Sequence, residues 1–587
     1  MVTQRSPLPK PTPALPNAVQ QSRLSRAASI VAADRSVGGF CQPQMFALKD
    51  LPIAEIDEEP SSATQRRSPR SPRTPRTPRT PRGHVQRRTA SQDLIERRNS
   101  MAQNLPPQCI GGLRLLVLSS EDLGSDMHAV VSSICADPGP GMPGTRQEYM
   151  RGKAVQRYFE GLLPHAEVSA EEFETHPALF FSWLRMAFLL GAVAVVLFVY
   201  TRHALIASST VLYWPLALCL ALVGVIVFVV VHTFFMYGEA LNPLFPRHTS
   251  MNAIARFVPR PTIEVCSDSE TALSDTETDL TVTPHESVAS PKTPVLSSTR
   301  GPPRSLLIVS AHHDSAPEYW LRYRHPWLFT VSAVLSVTGI TLSSLVGVAM
   351  AVAAVWFPAL LGHIIASRAV LGLFLGALGS VTPLLFLFGG NRVPGAMDNL
   401  GGVAVLAGLG KCIKTYLEKS VETNLDRNNL EVRLVSFGSE ECGLRGARAY
   451  FRSHHEEFDS IRASGGQVLM VNLDGVGSGS KTIILDRERT TRTSHSADLV
   501  SYFLDMGGSM EARSLGLLDG GTDAAVFSQG GVDAVTLLFI PDLYMGLPYY
   551  HTREDTPDKV SPDTLVRAAG VVARCIDDAA NGLMFDD

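Results

Sequence analysis

Arg433-Leu-Val-Ser-Phe-Gly-Ser-Glu440-Glu441-Cys-Gly-Leu-Arg-Gly-Ala-Arg-Ala-Tyr450 is the stretch on which the reading of this chain turns. A short apolar run, rich in β-branched and aromatic residues and bounded by Gly438, reads as a buried strand. The Ala/Arg/Tyr run after Gly446 reads as a helix. Glu440 and Glu441 therefore stand at a strand's carboxyl end, where open α/β sheets build their sites. Two adjacent carboxylates can divide labour there, one holding a metal and the other moving a proton. Taken alone, the pair is better read as a solvated turn; four other segments change that.

In Ser305-Leu-Leu-Ile-Val-Ser-Ala-His312-His313-Asp314-Ser315, Leu306 to Val309 look like a central strand. Alternation along a strand sends His312 and Asp314 to one side and His313 to the other. His312 then suits a metal ligand and Asp314 the carboxylate that orients it. Pro394-Gly-Ala-Met-Asp398-Asn399-Leu-Gly401-Gly402 is a loop leading into a helical stretch, Val403 to Leu417. Val471-Asn-Leu-Asp474-Gly475 is another strand end before glycine, and Tyr549-Tyr550-His551-Thr552-Arg-Glu-Asp555-Thr556 completes the set. Two histidines and three carboxylates suit zinc, and five ligands suit two ions that share one of them.

These five segments, in this order, resemble the co-catalytic di-zinc aminopeptidase family. It contains secreted bacterial leucyl aminopeptidases, glutamate carboxypeptidase, the transferrin receptor and glutaminyl cyclase. The resemblance implies that Asp398 bridges two zinc ions, that His312 and Asp474 complete one site, and that Glu441 and His551 complete the other. It also implies that Glu440 is the general base for a metal-activated water that hydrolyses a peptide bond. Tyr550 either donates to the oxyanion or is a core or rim tyrosine. The implied fold is a three-layer αβα zinc-peptidase domain with a mixed, mostly parallel sheet. Resemblance covers the pieces 113–175, 250–325 and 390–587.

The remainder departs from that family. At 587 residues and 45% apolar content, the chain has room for a large domain and more. The net charge of −4 excludes nothing by itself, and no nucleic-acid partner is expected. Residues 1–100 carry 17 Lys+Arg against 8 Asp+Glu and are dense in Pro and Ser, so 1–105 reads as a disordered basic tail. Within it a Ser/Thr-Pro-Arg unit repeats five times from Ser68 to Arg82. It resembles protein-kinase substrates, and a basic spacer near anionic membrane lipid weighs equally. No apolar stretch precedes residue 100, so no conventional signal peptide is expected.

Leu179 to Tyr200 holds one charge, Arg185, and Val211 to Met236 holds none. Crossing a hydrocarbon core of about 30 Å takes roughly 20 apolar residues, and both runs suffice. Pro326 to Gly390 holds only Arg368, and hydropathy alone would fit three spans there. His312 and Asp398 flank that block and must meet at one site, so the number of crossings is even. Two are expected, with the surplus near Ala354 to Ser367 in a long, tilted or re-entrant segment. The peptidase domain is thus expected at 113–178, 250–325 and 391–587, with an acidic disordered loop at 267–302. Transmembrane hairpins at 179–236 and 326–390 interrupt it.

Arg247, Arg256, Arg260, Arg322, Arg324 and Arg392 lie on the catalytic side, against Arg202, His203 and Arg368 at the hairpin tips. The positive-inside tendency then expects catalytic domain and tail together in the cytoplasm. Eight cysteines without paired spacing and the lack of any Asn-x-Ser/Thr acceptor agree.

The expected function is a membrane-anchored zinc exopeptidase acting on peptides, most simply an aminopeptidase. The alternatives are an inactive membrane scaffold or receptor with the same fold, and a single-zinc glutaminyl-cyclase-like enzyme using Asp398, Glu441 and His551. Among other residues, Asp523 is expected to cap a helix rather than touch substrate. His454 is expected on a solvated surface and His363 as a satisfied interhelical histidine.

Overall fold

The strand Ser305–His312 sorts its side chains by parity, and that sorting builds the layers. Leu307, Val309 and Ala311 enter one apolar core, while Leu306 and Ile308 enter a second on the opposite face. The structure, a computed structural model, describes residues 112–208, 211–260, 304–420, 422–517 and 519–584. The expected tail at 1–105 and acidic loop at 267–302 lie outside the described residues.

The described strands are β1 Glu167–Thr175, β2 His248–Phe257, β3 Ser305–His312, β4 Leu430–Phe437, β5 Val468–Val476, β6 Thr482–Glu488, β7 Thr493–Ser494, β8 Met510–Leu515 and β9 Asp533–Phe539. They form one sheet in the order β1-β2-β4-β3-β5-β9-β6-β7, with β8 also paired to β6. The centre, β4-β3-β5-β9, is parallel. Both flanks turn antiparallel, at β1–β2 and β2–β4 on one side and at β9–β6 and β6–β7 on the other. The sheet is mixed, but parallel and antiparallel pairings are equal in number, which corrects the expectation of a mostly parallel one.

Helices follow as α1 Gly112–Ser119, α2 Leu123–Ala136, α3 Arg146–Glu160, α4 Pro177–Ser208, α5 Tyr213–Val230, α6 Trp320–Arg324, α7 Pro326–Trp356, α8 Pro358–Ala366, α9 Arg368–Val381, α10 Gly401–Lys419, α11 Asn424–Arg427, α12 Arg445–Ala463, α13 Ala497–Asp505, α14 Ala524–Gln529 and α15 Pro562–Ala580. One face of the sheet is covered through Met127 of α2, Val155 of α3, Leu406 of α10 and Leu565 of α15. Tyr450 and Phe458 of α12 and Phe527 of α14 cover the other.

The acid-rich Glu167 to Glu174, which carried no strand signal in the sequence, forms the edge strand β1. It pairs with β2 from Glu167↔Arg256 to Thr175↔His248. Its glutamates suit an edge, because charge there discourages pairing with another chain. His454 is not simply solvated: its ring lies 2.7 Å from Glu171 of β1 and 3.2 Å from Glu457.

Four apolar helices stand apart from the sheet's cores. Pro177–Ser208, Tyr213–Phe235, Pro326–Trp356 and Arg368–Phe386 have hydropathies of 1.9 to 2.8 and are only 17–22% buried. They pack on one another through Phe198 against Phe374, ring centres 4.8 Å apart, and through Gly339 against Ala377. A side chain at Gly339 would lie 2.9 Å from the Ala377 methyl, the close approach that small residues permit between packed apolar helices. Between α7 and α9, Pro358 opens the nine-residue α8, and Ser367 caps α9 by accepting from the Val370 amide. His363 on α8 is exposed rather than packed between helices. A fifth apolar helix, Ala396–Lys419, is 78% buried and belongs to the core on one face of the sheet.

Candidate metal centre

Parallel strands β4, β3 and β5 are neighbours, so their carboxyl ends bring Glu440-Glu441, His312 and Asp474 to one place. Asp398 arrives in the turn Ala396–Leu400 before α10, and His551 in the loop after β9. His312 Nε2 lies 3.2 Å from Asp398 Oδ1 and 3.7 Å from Asp474 Oδ1. His551 Nε2 lies 3.1 Å from Asp398 Oδ2 and 3.2 Å from Glu441 Oε1. Two clusters of donors therefore share one carboxylate, an oxygen to each. Glu440 stands beside the first, its Oε2 4.0 Å from His312 Nε2.

The donor set fits zinc. Imidazole nitrogens and carboxylate oxygens are its ordinary ligands, with one carboxylate able to serve two ions. Glu441 Oε1 is buried and makes no hydrogen bond among the described residues despite its approach to His551. Such convergence without proton sharing is what a cation would satisfy. Single donor atoms of His312, Asp398 and Glu441 lie within 4.8 Å of one another.

Charge crowding agrees. Burial opposes ionisation of Asp398, but His312 and His551 outweigh it and hold its carboxyl well below the usual range. Burial raises Glu440 far above the ordinary glutamate value, with Glu441, Asp523 and Asp474 adding to it against His312. Burial also raises Asp474, against the pull of His312. Both histidines are pushed up by their carboxylate partners in spite of burial.

Further residues hold this arrangement. Asp314 accepts from the amides of Glu440 and Glu441 at 3.1 and 3.0 Å. It is 3.5 Å from His312 Nδ1, so its closest work is to fix the glutamate turn rather than to orient the histidine, as expected from sequence. That turn is bounded by Ser439 and Leu444 at φ 54° and 59°, which non-glycine residues adopt only when the surroundings impose it. Ser439 donates to Glu148 Oε1 at 2.6 Å, as does Ser250. Asp555 accepts from the amides of Met397 and Asp398 and so sets the backbone that carries the Asp398 carboxylate. Arg151, fully buried, ties the carbonyls of Gly139, His313 and Pro394 together.

Asp523 corrects its expectation. It stands at the start of α14 but makes no capping hydrogen bond, and both its oxygens are buried without a partner among the described residues. Burial, with Asp474, Asp314 and Glu488, raises it well above the usual carboxylate value, against His312.

Tyr550 is buried, its ring 3.7 Å from that of His551 and 4.8 Å from that of Tyr544. It lines a cavity of about 520 Å³ with His312, Asp398, Glu440, Glu441 and Asp474. Tyr237, Tyr319 and Tyr544 line it too, and the sequence reading missed all three. Tyr237 follows an apolar run and looked like the end of a span. Asp555 lies in the Tyr549 to Thr556 segment, four residues after His551, and nothing local in that segment signals its contacts with the Met397 and Asp398 amides.

Residues 380–576 match Peptidase family M28. Aminopeptidase YwaD of Bacillus subtilis (strain 168) is 25% identical over 201 residues, which is 32% of this chain and 38% of that protein. The chain thus spans well under half the length of this curated relative. Among solved structures, an aminopeptidase from Aneurinibacillus sp. strain AM-1 is 14% identical, over 79% of this chain and 96% of that one, with a TM-score of 0.40. Fimbriiglobus ruber glutaminyl cyclase is 13% identical, over 77% and 94%, with a TM-score of 0.37. The matched segment contains Asp398, Glu440, Glu441, Asp474 and His551, while His312 lies upstream beyond the apolar helices. Residues 380–576, which hold the Asp398, Glu440-Glu441, Asp474 and His551 motifs, are thus the part of the chain that is similar to peptidase family M28.

Proposed function

We propose that this protein is a membrane-anchored, zinc-dependent aminopeptidase that binds two zinc ions. The observation that carries the reading is the shared carboxylate: Asp398 offers Oδ1 to the His312 and Asp474 side and Oδ2 to the His551 and Glu441 side. Bound zinc would supply Lewis acidity that polarises a carbonyl and acidifies water.

The chain's own residues do the rest. Glu440 takes a proton from water and returns it to the departing amine, while the water oxygen joins the carbonyl carbon and the C–N bond breaks. Asp314 keeps the Glu440 and Glu441 backbone in place for that exchange. Tyr550 walls the cavity beside His551 and is the hydroxyl assigned to the developing oxyanion.

The four poorly buried apolar helices are proposed to cross a bilayer as two hairpins, at 179–236 and 326–390. Even crossings leave 113–178, 250–325 and 391–587 in one compartment with the tail, and the arginine distribution assigns that compartment to the cytoplasm.

Zinc content and hydrolysis of an amino-acid amide panel, for the wild type and Glu440→Gln, test the reading. The expected result is two zinc ions in both, with turnover lost in the variant. One zinc with cyclisation of N-terminal glutamine would replace the reading with the cyclase, and metal-free inert protein would replace it with the scaffold.

A further inference from the structure

The cavity at the metal centre does not end at the sheet. It is one space of about 520 Å³ that runs from His312, Asp398 and Glu440 to the apolar helices, where Trp183, Phe329, Ala333, Val337, Leu384 and Phe388 bound it. Cavities of roughly 300–1,000 Å³ hold whole small-molecule ligands, so this space exceeds the needs of a short side chain. Its few helical hydroxyls are committed to their own surroundings: Thr330 donates to the Pro326 carbonyl, Thr341 to the Val337 carbonyl, and Ser336 to Ser380. The wall that a ligand meets there is therefore apolar.

Charge decides which part of a substrate enters. No Lys or Arg is among the described residues that line the cavity, whereas Asp519, Glu440 and Glu441 are. Beyond the zinc ions of the proposed centre, an anionic headgroup or free carboxylate meets no cationic group of the described lining, whereas a free amine has carboxylates to meet. At the far end Val334 and Val337 are 60% and 43% exposed, so the space opens sideways on the helix face that a bilayer would cover.

We infer that the substrate is a membrane-borne peptide whose N-terminal residue carries a long hydrocarbon chain, held between the helices while its first amide lies at Glu440. This rests on the peptidase reading and adds the substrate class to it. The step is a hydrolysis: the water oxygen bonds to the first residue's carbonyl carbon, the C–N bond breaks, and the proton ends on the new amine. No electrons are exchanged.

The test uses the full zinc-loaded chain in detergent with anilides of amino acids whose side chains lengthen from alanine to 2-aminodecanoic acid. kcat/KM should rise roughly two- to fourfold per methylene until the cavity is full, a step set by the transfer of one methylene out of water. Ala333→Trp, which fills the space away from the carboxylates, should cut turnover of the longest anilide at least tenfold and leave the alanine anilide unchanged. Val337→Trp serves the same purpose if the first variant does not fold.

A flat series, or equal loss on both substrates, overturns the inference. Equal cleavage of decanoyl anilide, which has no amine, overturns the N-terminal assignment in favour of fatty-acyl amides. If no anilide is cleaved, the peptidase reading fails, and thermal shift with 2-aminodecanamide decides the cavity separately. Stabilisation of the wild type and not of the filled variant supports chain binding, and no shift in either overturns it.

Discussion

Ala396–Lys419 and Tyr213–Phe235 are both long and apolar enough to cross a bilayer, yet 78% of the first is buried inside the protein and only 22% of the second. Hydropathy separates them partly, at 1.3 against 2.8. The physical difference is what lies around each helix. The 396–419 helix packs against β3 and β5 on one side and α2 and α15 on another, and its exposed positions hold Lys411, Glu418 and Lys419. Tyr213–Phe235 has no charged residue and meets mainly another apolar helix, α4. Apolar length therefore marks a helix that must be covered, and the sequence around it decides whether protein or lipid does so.

The largest expected effect tests that contrast directly. Leu406→Ala, at a fully buried position of α10, should destabilise the purified protein by about 2–5 kcal/mol, whereas Leu189→Ala, at a position of α4 that is 64% exposed, should change little. Chemical unfolding in detergent measures both, and equal losses would break the comparison. The junction between the two regions comes next. Arg445, buried at the start of α12, donates to the Tyr237 carbonyl and to Glu239 just past the second apolar helix. Arg445→Ala should cost about 3 kcal/mol by stranding these groups, and should increase proteolysis near 237–239.

Asp555→Asn sharpens the comparison on the catalytic side alone. It weakens the hold on the Met397 and Asp398 amides, so zinc affinity should fall roughly 10- to 100-fold with unfolding midpoints of the metal-free protein almost unchanged. Competition with a chelator reads this out. The smallest effect is one of pH. Burial lowers His454, but Glu171 and Glu457 outweigh it, against Arg433, and raise it to about 9. A histidine raised in the folded state stabilises fully below 6.5 and loses that stability as pH rises through 9. The midpoint difference between wild type and His454→Gln should therefore shrink from pH 6.5 to 9, and a constant difference would refute the assignment.

What the sequence made legible was local pattern at strand ends. His312, Glu440, Glu441 and Asp474 each end or follow a run of apolar residues, and residues so placed meet when their strands are parallel neighbours. Asp398 and His551 were legible only through the motifs around them. Three kinds of feature escaped. Antiparallel flanks escaped because β1 is too acidic to read as a strand and because β6 to β8 carry no motif. Positioning contacts escaped because they include ones across more than 140 residues of chain, from Glu148 to Ser439, Arg151 to Pro394 and Asp555 to Met397. The aromatic wall of Tyr237, Tyr319 and Tyr544 escaped because its members lie in connections whose course depends on the apolar helices.

The pairing of β1 with β2 has a consequence for how the protein is made. These strands are antiparallel neighbours, Thr175 opposite His248, yet α4 and α5 stand where a hairpin turn of a few residues would normally be. β3 and the Asp398 turn are separated in the same way by α7 to α9. Bringing such distant ends together costs chain entropy that grows with the length of free chain between them. Helices already paired side by side would return the chain to its starting point and remove most of that cost. In biogenesis, pairing of the apolar helices then precedes closure of the sheet, and a chain whose helices failed to pair would leave His312 and Asp398 apart.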